Sequence, residues 1–187
     1  MLDVYGFSEF FIDTNKVNIK LFPKLFKQRA IDNYRQIWHT SIENSSVLDV
    51  YKNCKESFSY ECYLDILPKS LRFHVTRIRI SAHTLRIQTG RYGQNRIPRN
   101  ERYCTFCNSL DLEDEYHFIL ICPCFIDNRK KYIKSYYYNR PSMYKFIELI
   151  SSNNKIVLVS LARYIKESLK IRNDIVNALS NWLHKFV

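Results

Sequence analysis

Residues 104–122 read Cys-Thr-Phe-Cys-Asn-Ser-Leu-Asp-Leu-Glu-Asp-Glu-Tyr-His-Phe-Ile-Leu-Ile-Cys. Cys104 and Cys107 form a C-x2-C turn, His117 follows after nine residues, and Cys122 after four more. A C-x2-C turn presents two thiolates on one side of a metal, and a second pair 10 to 15 residues downstream closes a tetrahedral shell. Three thiolates and one imidazole suit zinc and leave no position for water. The spacing therefore predicts one structural Zn2+ per chain, held by Cys104, Cys107, His117 and Cys122. Cys124 is the rival fourth ligand, although the intervening Pro123 directs it into whatever helix follows. A thioredoxin-like redox pair would need the C-x2-C between a strand and a helix of a βαβ unit, and the flanking sequence offers none.

Working outward, the flanks are helical in pattern and basic in charge. The chain has 187 residues, of which 46% are hydrophobic but only three are Gly and five Pro, too few turn formers for a many-stranded sandwich or barrel. The expected fold is mainly α: a small helical domain around one zinc module, with little strand. Prolines punctuate it. Pro23 suits the first turn of a helix over 24–43, and Pro68 opens one through Leu71, Val75 and Ile78 to about Ala82. A short helix fits 47–57, while 58–67 reads as strand or loop. Helices are expected over 124–137 and, after Pro141, over 142–151. The stretch 84–103 reads as a loop or short ribbon, and what strand there is should lie in 58–67 and 84–106. Residues 1–22 have no clear period and read as a strand-like or irregular lead-in.

The most regular segment is the last. Leu158, Ala162, Ile165, Leu169, Arg172, Val176, Leu179, Leu183 and Phe186 alternate gaps of four and three, the period of a coiled-coil seam with one polar member. It predicts a helix over 155–185, packed on the chain's own core or on a second chain. Three stretches result: a helical lead-in (1–67), a basic zinc-binding module (68–151) and a long C-terminal helix (155–187), forming one structural unit.

The net charge of +11 points to nucleic acid or another acidic surface, and its distribution sharpens this. Residues 68–103 hold nine basic side chains against one acid, residues 104–122 four acids and no base, and residues 128–145 six bases and no acid. Arg77, Arg79, Arg86, Arg91, Arg96, Arg99, Arg102, Arg129, Lys130, Lys131 and Lys134 are the candidate phosphate contacts, with Tyr137 and Tyr138 as candidate stacking platforms for unpaired bases. The acidic stretch is expected to fold against Arg91, Arg99 or Arg102, or to staple the two basic segments together. Cys54 and Cys62 lack partners at metal spacing and read as small buried hydrophobes. His74 and His83 read as surface or core residues.

No apolar run approaches the ~18 residues of a spanning helix, and the first twenty residues, with Asp3, Glu9 and Asp13, lack the order of a signal peptide. The expected setting is intracellular, in cytoplasm or nucleus, where cysteines stay reduced.

Three strings resemble one known family: Arg-Ile-Ser-Ala-His-Thr-Leu-Arg-Ile-Gln-Thr-Gly-Arg-Tyr (79–92), Ile-Pro-Arg-Asn-Glu-Arg-Tyr-Cys-Thr-Phe-Cys (97–107) and Glu-Asp-Glu-Tyr-His-Phe-Ile-Leu-Ile-Cys-Pro (113–123), followed by Arg129. They resemble the C-terminal zinc-binding region of non-LTR (LINE-type) retrotransposon reverse-transcriptase polyproteins, in its invertebrate form, and the likeness runs from about 63 to 172. It implies zinc on Cys104, Cys107, His117 and Cys122 and help in holding template nucleic acid during target-primed reverse transcription. It implies no enzyme. The family's polymerase needs an aromatic-x-Asp-Asp motif, and no Asp-Asp pair occurs here. Expected partners are single-stranded or structured RNA or DNA, with a reverse-transcriptase domain, or a second copy through the C-terminal helix, as further ones. The alternative reading is a zinc-stapled interaction scaffold that uses that helix.

Overall fold

The structure is a computed structural model that describes residues 6–7, 20–94, 96–107 and 109–183, the last five by backbone alone. Most of the irregular lead-in, the side chains of the seam residues Leu179 and Leu183, and all of Phe186 lie outside what is described. The described residues are mainly helical and contain no strand. They fall into two compact units. One runs to Ser46 and includes Glu56–Ser59; the other holds Val47–Lys55 and the chain from Tyr60 onward, so that 47–55 and 60–67, read from sequence as lead-in, belong with the second.

In the first unit, helix α1 (Phe22–Glu43) starts with Pro23 in its opening turn, where a missing N–H costs nothing. Phe22 and Phe26 stack at 6.0 Å beneath Phe7, and Phe58 meets Tyr34 edge-on at 5.0 Å. Only Ile42 of this helix is buried; Tyr34 and Ile37 are exposed.

The second unit holds the core and the site. Its elements are α2 (Asp49–Cys54), α3 (Tyr63–Ile66), α4 (Lys69–Arg79), α5 (Arg86–Thr89), α6 (Ile126–Tyr132), α7 (Ser135–Tyr138), α8 (Met143–Ile150) and α9 (Lys155–Leu183). Asn154 caps α9, its Oδ1 accepting the N–H groups of Ile156 (2.9 Å) and Val157 (3.3 Å). α9 is the spine against which α3, α4, α6 and α8 pack. Leu158, Leu161, Ala162, Tyr164, Ile165 and Ser168 are buried on it, whereas residues 173–178 are all exposed. The seam thus serves the chain's own core in its first half and ends at Arg172.

Three expectations change. Residues 58–67 contain a helical turn, not a strand, and Leu67 leaves it in an extended conformation because Pro68 disfavours α geometry before it. The helix expected over 124–137 is broken. Pro123–Phe125 form a 3-10 turn, α6 stops at Tyr132, and Ile133 and Lys134 are extended before α7. Ile133 is anchored in the core at 4% exposure, so tertiary packing overrides a locally acceptable helix. The ribbon around 84–106 shrinks to a single bridge, Tyr103 to Leu112. Cys62, expected to be buried, is exposed; Cys54 is half-buried. No helix among the described residues is long and apolar enough to cross a membrane.

Candidate metal centre

Two small devices bring four distant donors together. The first is the turn bearing Cys104 and Cys107. The Cys104 N–H donates to Asp111 O (2.8 Å) and the Glu113 N–H to Arg102 O (2.9 Å), pinning both arms of the turn around the Tyr103–Leu112 bridge. The second is a π-helical turn, His117–Ile121, closed by the Cys122 N–H on His117 O at 2.8 Å. At 3.6 residues per turn, an α-helix would set residues five apart about 140° from each other around its axis. The wider π turn stacks His117 beneath Cys122, so both can face one point. The H-x4-C spacing therefore calls for this turn. Cys122 then leaves the helix ahead of Pro123.

The donor atoms of Cys104, Cys107, His117 and Cys122 all lie within 4.8 Å of one another. Cys104 Sγ is 3.9 Å from Cys122 Sγ, and Cys107 Sγ is 3.3 Å from His117 Nε2. Metal–sulfur bonds of ~2.3 Å in a tetrahedron separate sulfurs by ~3.8 Å, so a metal ion fits. The hydrogen bond from Cys122 holds the Cys104 thiol down, to about 3, while the same bond and burial push the Cys122 thiol up. A cation placed there would compete with protons for the two sulfurs. His117 Nδ1, away from the sulfurs, is buried without a hydrogen bond, and the Asp111 carboxylate stands 3.5 Å from it. A carboxylate behind a ligating imidazole orients the ring. Cys124 is exposed and donates its S–H to Phe106 O at 2.6 Å; Cys122, not Cys124, completes the cluster.

The shell around the cluster consists of charged residues that the sequence had placed elsewhere. Arg129, expected on a nucleic-acid surface, is 1% exposed and donates from Nε to Ile119 O and from Nη2 to Cys122 O, both at 2.8 Å. It satisfies carbonyls that the end of the π turn leaves open. Arg79 is 4% exposed, donates twice to Ile150 O at the end of α8, and pairs with Glu61 at 2.7 Å. Arg102, also buried, donates to Ile97 O and Ile87 O, each at 2.9 Å. Tyr137 is buried too and offers no face to a base; Tyr138 is half-buried. Arg79, Arg102, Arg129 and Tyr137 leave the list of candidate contacts because the core needs their donors or their rings.

Of the two uses expected for the acids, folding against the Arg91, Arg99 or Arg102 side chains is not the one that Glu113 shows. Glu113 folds against Arg172 (2.6 and 2.9 Å) and accepts the Arg86 N–H at 2.8 Å, rather than pairing with Arg91, Arg99 or Arg102 side chains. Glu115 accepts from Ser81 (2.9 Å) and lies 2.6 Å from His83 Nε2. Burial raises the Glu115 carboxyl, but the His83 contact outweighs it and leaves the group below its ordinary value. Arg172, the odd polar member of the seam, is in fact the α9 residue that anchors the metal loop. Its sequence signal was the interruption itself.

Of the remaining candidates, Arg77 and Arg91 are half-exposed and Arg96, Lys130 and Lys134 exposed. Arg77 donates to Ala82 O and lies over the Phe73 ring. Arg99 pairs with Asp49 at 2.8 Å while half its side chain faces solvent, and Lys131 pairs with Glu167 at 3.3 Å. Residues 166 and 170 were not singled out in the sequence. α9 sets Lys166 and Lys170 beside Arg77 and His74 along a cavity of about 580 Å³.

Comparison of the chain with family models, with curated proteins and with solved structures gave no match.

Proposed function

We propose that the chain is a nucleic-acid-binding domain whose fold is held by one structural zinc ion. On this reading it is a relative of the tail of non-LTR retrotransposon reverse transcriptases and contacts RNA or DNA through phosphates without reading sequence. Zinc is the metal that suits three thiolates and an imidazole with no open position. Support for retroelement ancestry is the set of three strings quoted above, with their C-x2-C and H-x4-C-Pro spacings. Support for nucleic acid is the surface that remains once the core has taken its arginines: Arg96, Arg99, Lys130, Lys131 and Lys134 stay exposed, and α9 adds Lys166 and Lys170. The experiment is native mass spectrometry for one zinc per chain, joined to a salt titration of binding to a single-stranded oligonucleotide. Tight binding with no salt dependence would contradict the phosphate mechanism.

A second reading rests on Ile171, Ile175 and Val176, about 40% exposed on the distal part of α9. That face favours self-association, and sedimentation equilibrium at rising concentration tests it.

A further inference from the structure

Beside the metal loop lies a cavity of about 370 Å³, walled by α5, the loop that follows it, Thr105 of the C-x2-C turn, and α9. Its size is at the lower end of the ~300–1,000 Å³ of ligand pockets, enough for one nucleotide unit. The chemistry of its wall is cationic and hydroxylic, built around Arg86.

Arg86 is half-buried, and its Nε is shielded from solvent without a hydrogen-bond partner. No nitrogen of its guanidinium makes a hydrogen bond or ion pair among the described residues, whereas Arg79 uses all three of its nitrogens and Arg102 and Arg129 two each. A guanidinium that gives up hydration and gains no acceptor is unfavourable, and an anion in the cavity would remove the deficit. Arg172 reaches the same cavity. Its Nε and Nη2 are taken by Glu113, and its Nη1 is without a partner among the described residues. Both oxygens of Glu113 are engaged, Oε1 by Arg172 and Oε2 by Arg172 and the Arg86 N–H, so the one carboxylate in the wall is matched and the balance is one positive charge. The surrounding field has the same sign: Arg91 and Arg99 lie close enough to Arg102 to disfavour its charge, after burial itself. Thr89 and Thr105 line the wall, the Thr89 hydroxyl donating to Leu85 O at 3.4 Å, and Tyr92 stands at the rim, 68% exposed. The narrowness is built in. A Cβ on Gly90 would come within 2.9 Å of Arg86 O and 3.0 Å of the Arg102 side chain, so only glycine lets Arg86 and Arg102 flank this turn.

We propose that this cavity grips one backbone phosphate of a single-stranded nucleic acid. The Arg86 guanidinium is its principal contact, Arg172 Nη1 and the Thr105 hydroxyl complete the ring of donors, and the attached base stacks on Tyr92. A planar fork suits two phosphate oxygens at once. The site rests on the nucleic-acid reading above and gives it a point of attachment against the metal loop.

The test uses the zinc-loaded full chain, labelled (dT)12 at several salt concentrations, and thermal melting of each variant. Arg86→Gln should weaken binding about tenfold and reduce the log–log salt slope by ~0.7, one single-strand phosphate contact. Tyr92→Ala should weaken it about five- to a hundredfold with the slope unchanged, since stacking releases no counterion. Should Arg86→Gln fail to fold, Tyr92→Ala carries the test alone, because that ring is exposed. Wild-type binding to (dT)12 that both variants retain overturns the site and leaves the nucleic-acid reading standing. Absence of wild-type binding to (dT)12, with thymidine monophosphate still shifting an Arg Nε resonance that Arg86→Gln removes, makes this a free-nucleotide site and overturns the strand proposal. Binding of neither, or of a polyglutamate peptide in their place, overturns both.

Discussion

Arg129, Arg79 and Arg102 look alike in the sequence to Arg96 and Lys134, all members of basic runs, yet the first three are structural. What divides them is whether a carbonyl at the end of a turn needs a donor, and this emerges only when the elements meet. The candidate metal ligands behave differently, because C-x2-C and H-x4-C are local constraints. The four residues chosen by spacing are the four that the fold brings within 4.8 Å. Arg172 shows the consequence most clearly. Removing one partner of a buried ion pair strands the other charge, so Glu113→Gln and Arg172→Met should each lower stability by ~3–5 kcal/mol in urea denaturation. Glu113→Gln with Arg172→Met should lose much less than the sum. Additive losses would mean the two groups do not act as a pair. At the cluster, Cys107→Ser should reduce bound metal from one per chain to near zero by native mass spectrometry, whereas Cys124→Ser should keep it.

At the scale of elements, the long helix was legible and its use was not. A four-three alternation does not distinguish a seam within one chain from one between two. The structure divides α9 at Arg172, with Ile165 fully buried and Val176 40% exposed. Ile165→Ala should therefore cost ~2–5 kcal/mol, while Val176→Ala stays below ~1 kcal/mol. Equal costs would return the distal half to the core. The breaks at Ile133 and before Pro68 were harder to read. Ile133 gives no local stop signal, and its burial decides the matter. Tyr164, on the buried half of α9, donates to Phe118 O at 2.6 Å, and burial raises its hydroxyl to about 12. The unfolded chain then releases this proton near its ordinary value, about 10, before the folded chain does. Its contribution is complete below about pH 10 and is lost between there and about 12, at roughly 1.4 kcal/mol per pH unit. Tyr164→Phe should lack that share of the alkaline decline, which denaturation at stepped pH measures.

At the scale of the whole molecule, the proposed function makes charge and metal jointly set what the chain would present to a nucleic acid. The two basic segments carry fifteen cations, and Arg79, Arg102 and Arg129 are internal. Total charge therefore overstates the usable surface, although it sets the long-range field. With four to six simultaneous phosphate contacts, a single strand should bind with a log–log salt slope of roughly −3 to −4. Replacing Arg91, Arg96 and Arg99 together by Ala should flatten it by about 2. Arg129→Ala would report on folding instead. Tyr137→Ala is unsuitable for the same reason, so the stacking test moves to Tyr144, 75% exposed beside the second basic run. Tyr144→Ala should weaken binding without changing the slope. Chelation links the two properties. Arg172 and Arg86 are held to the metal loop through Glu113, and Arg129 through the carbonyls of Ile119 and Cys122. Stripping the ion should therefore loosen the cations of the 86–102 region and lower the melting temperature. Strand affinity should fall more than the salt slope does, because charges that have lost their positions still attract phosphate. Affinity unchanged after chelation, with the metal shown to be gone, would separate the metal from binding and leave it a purely local staple.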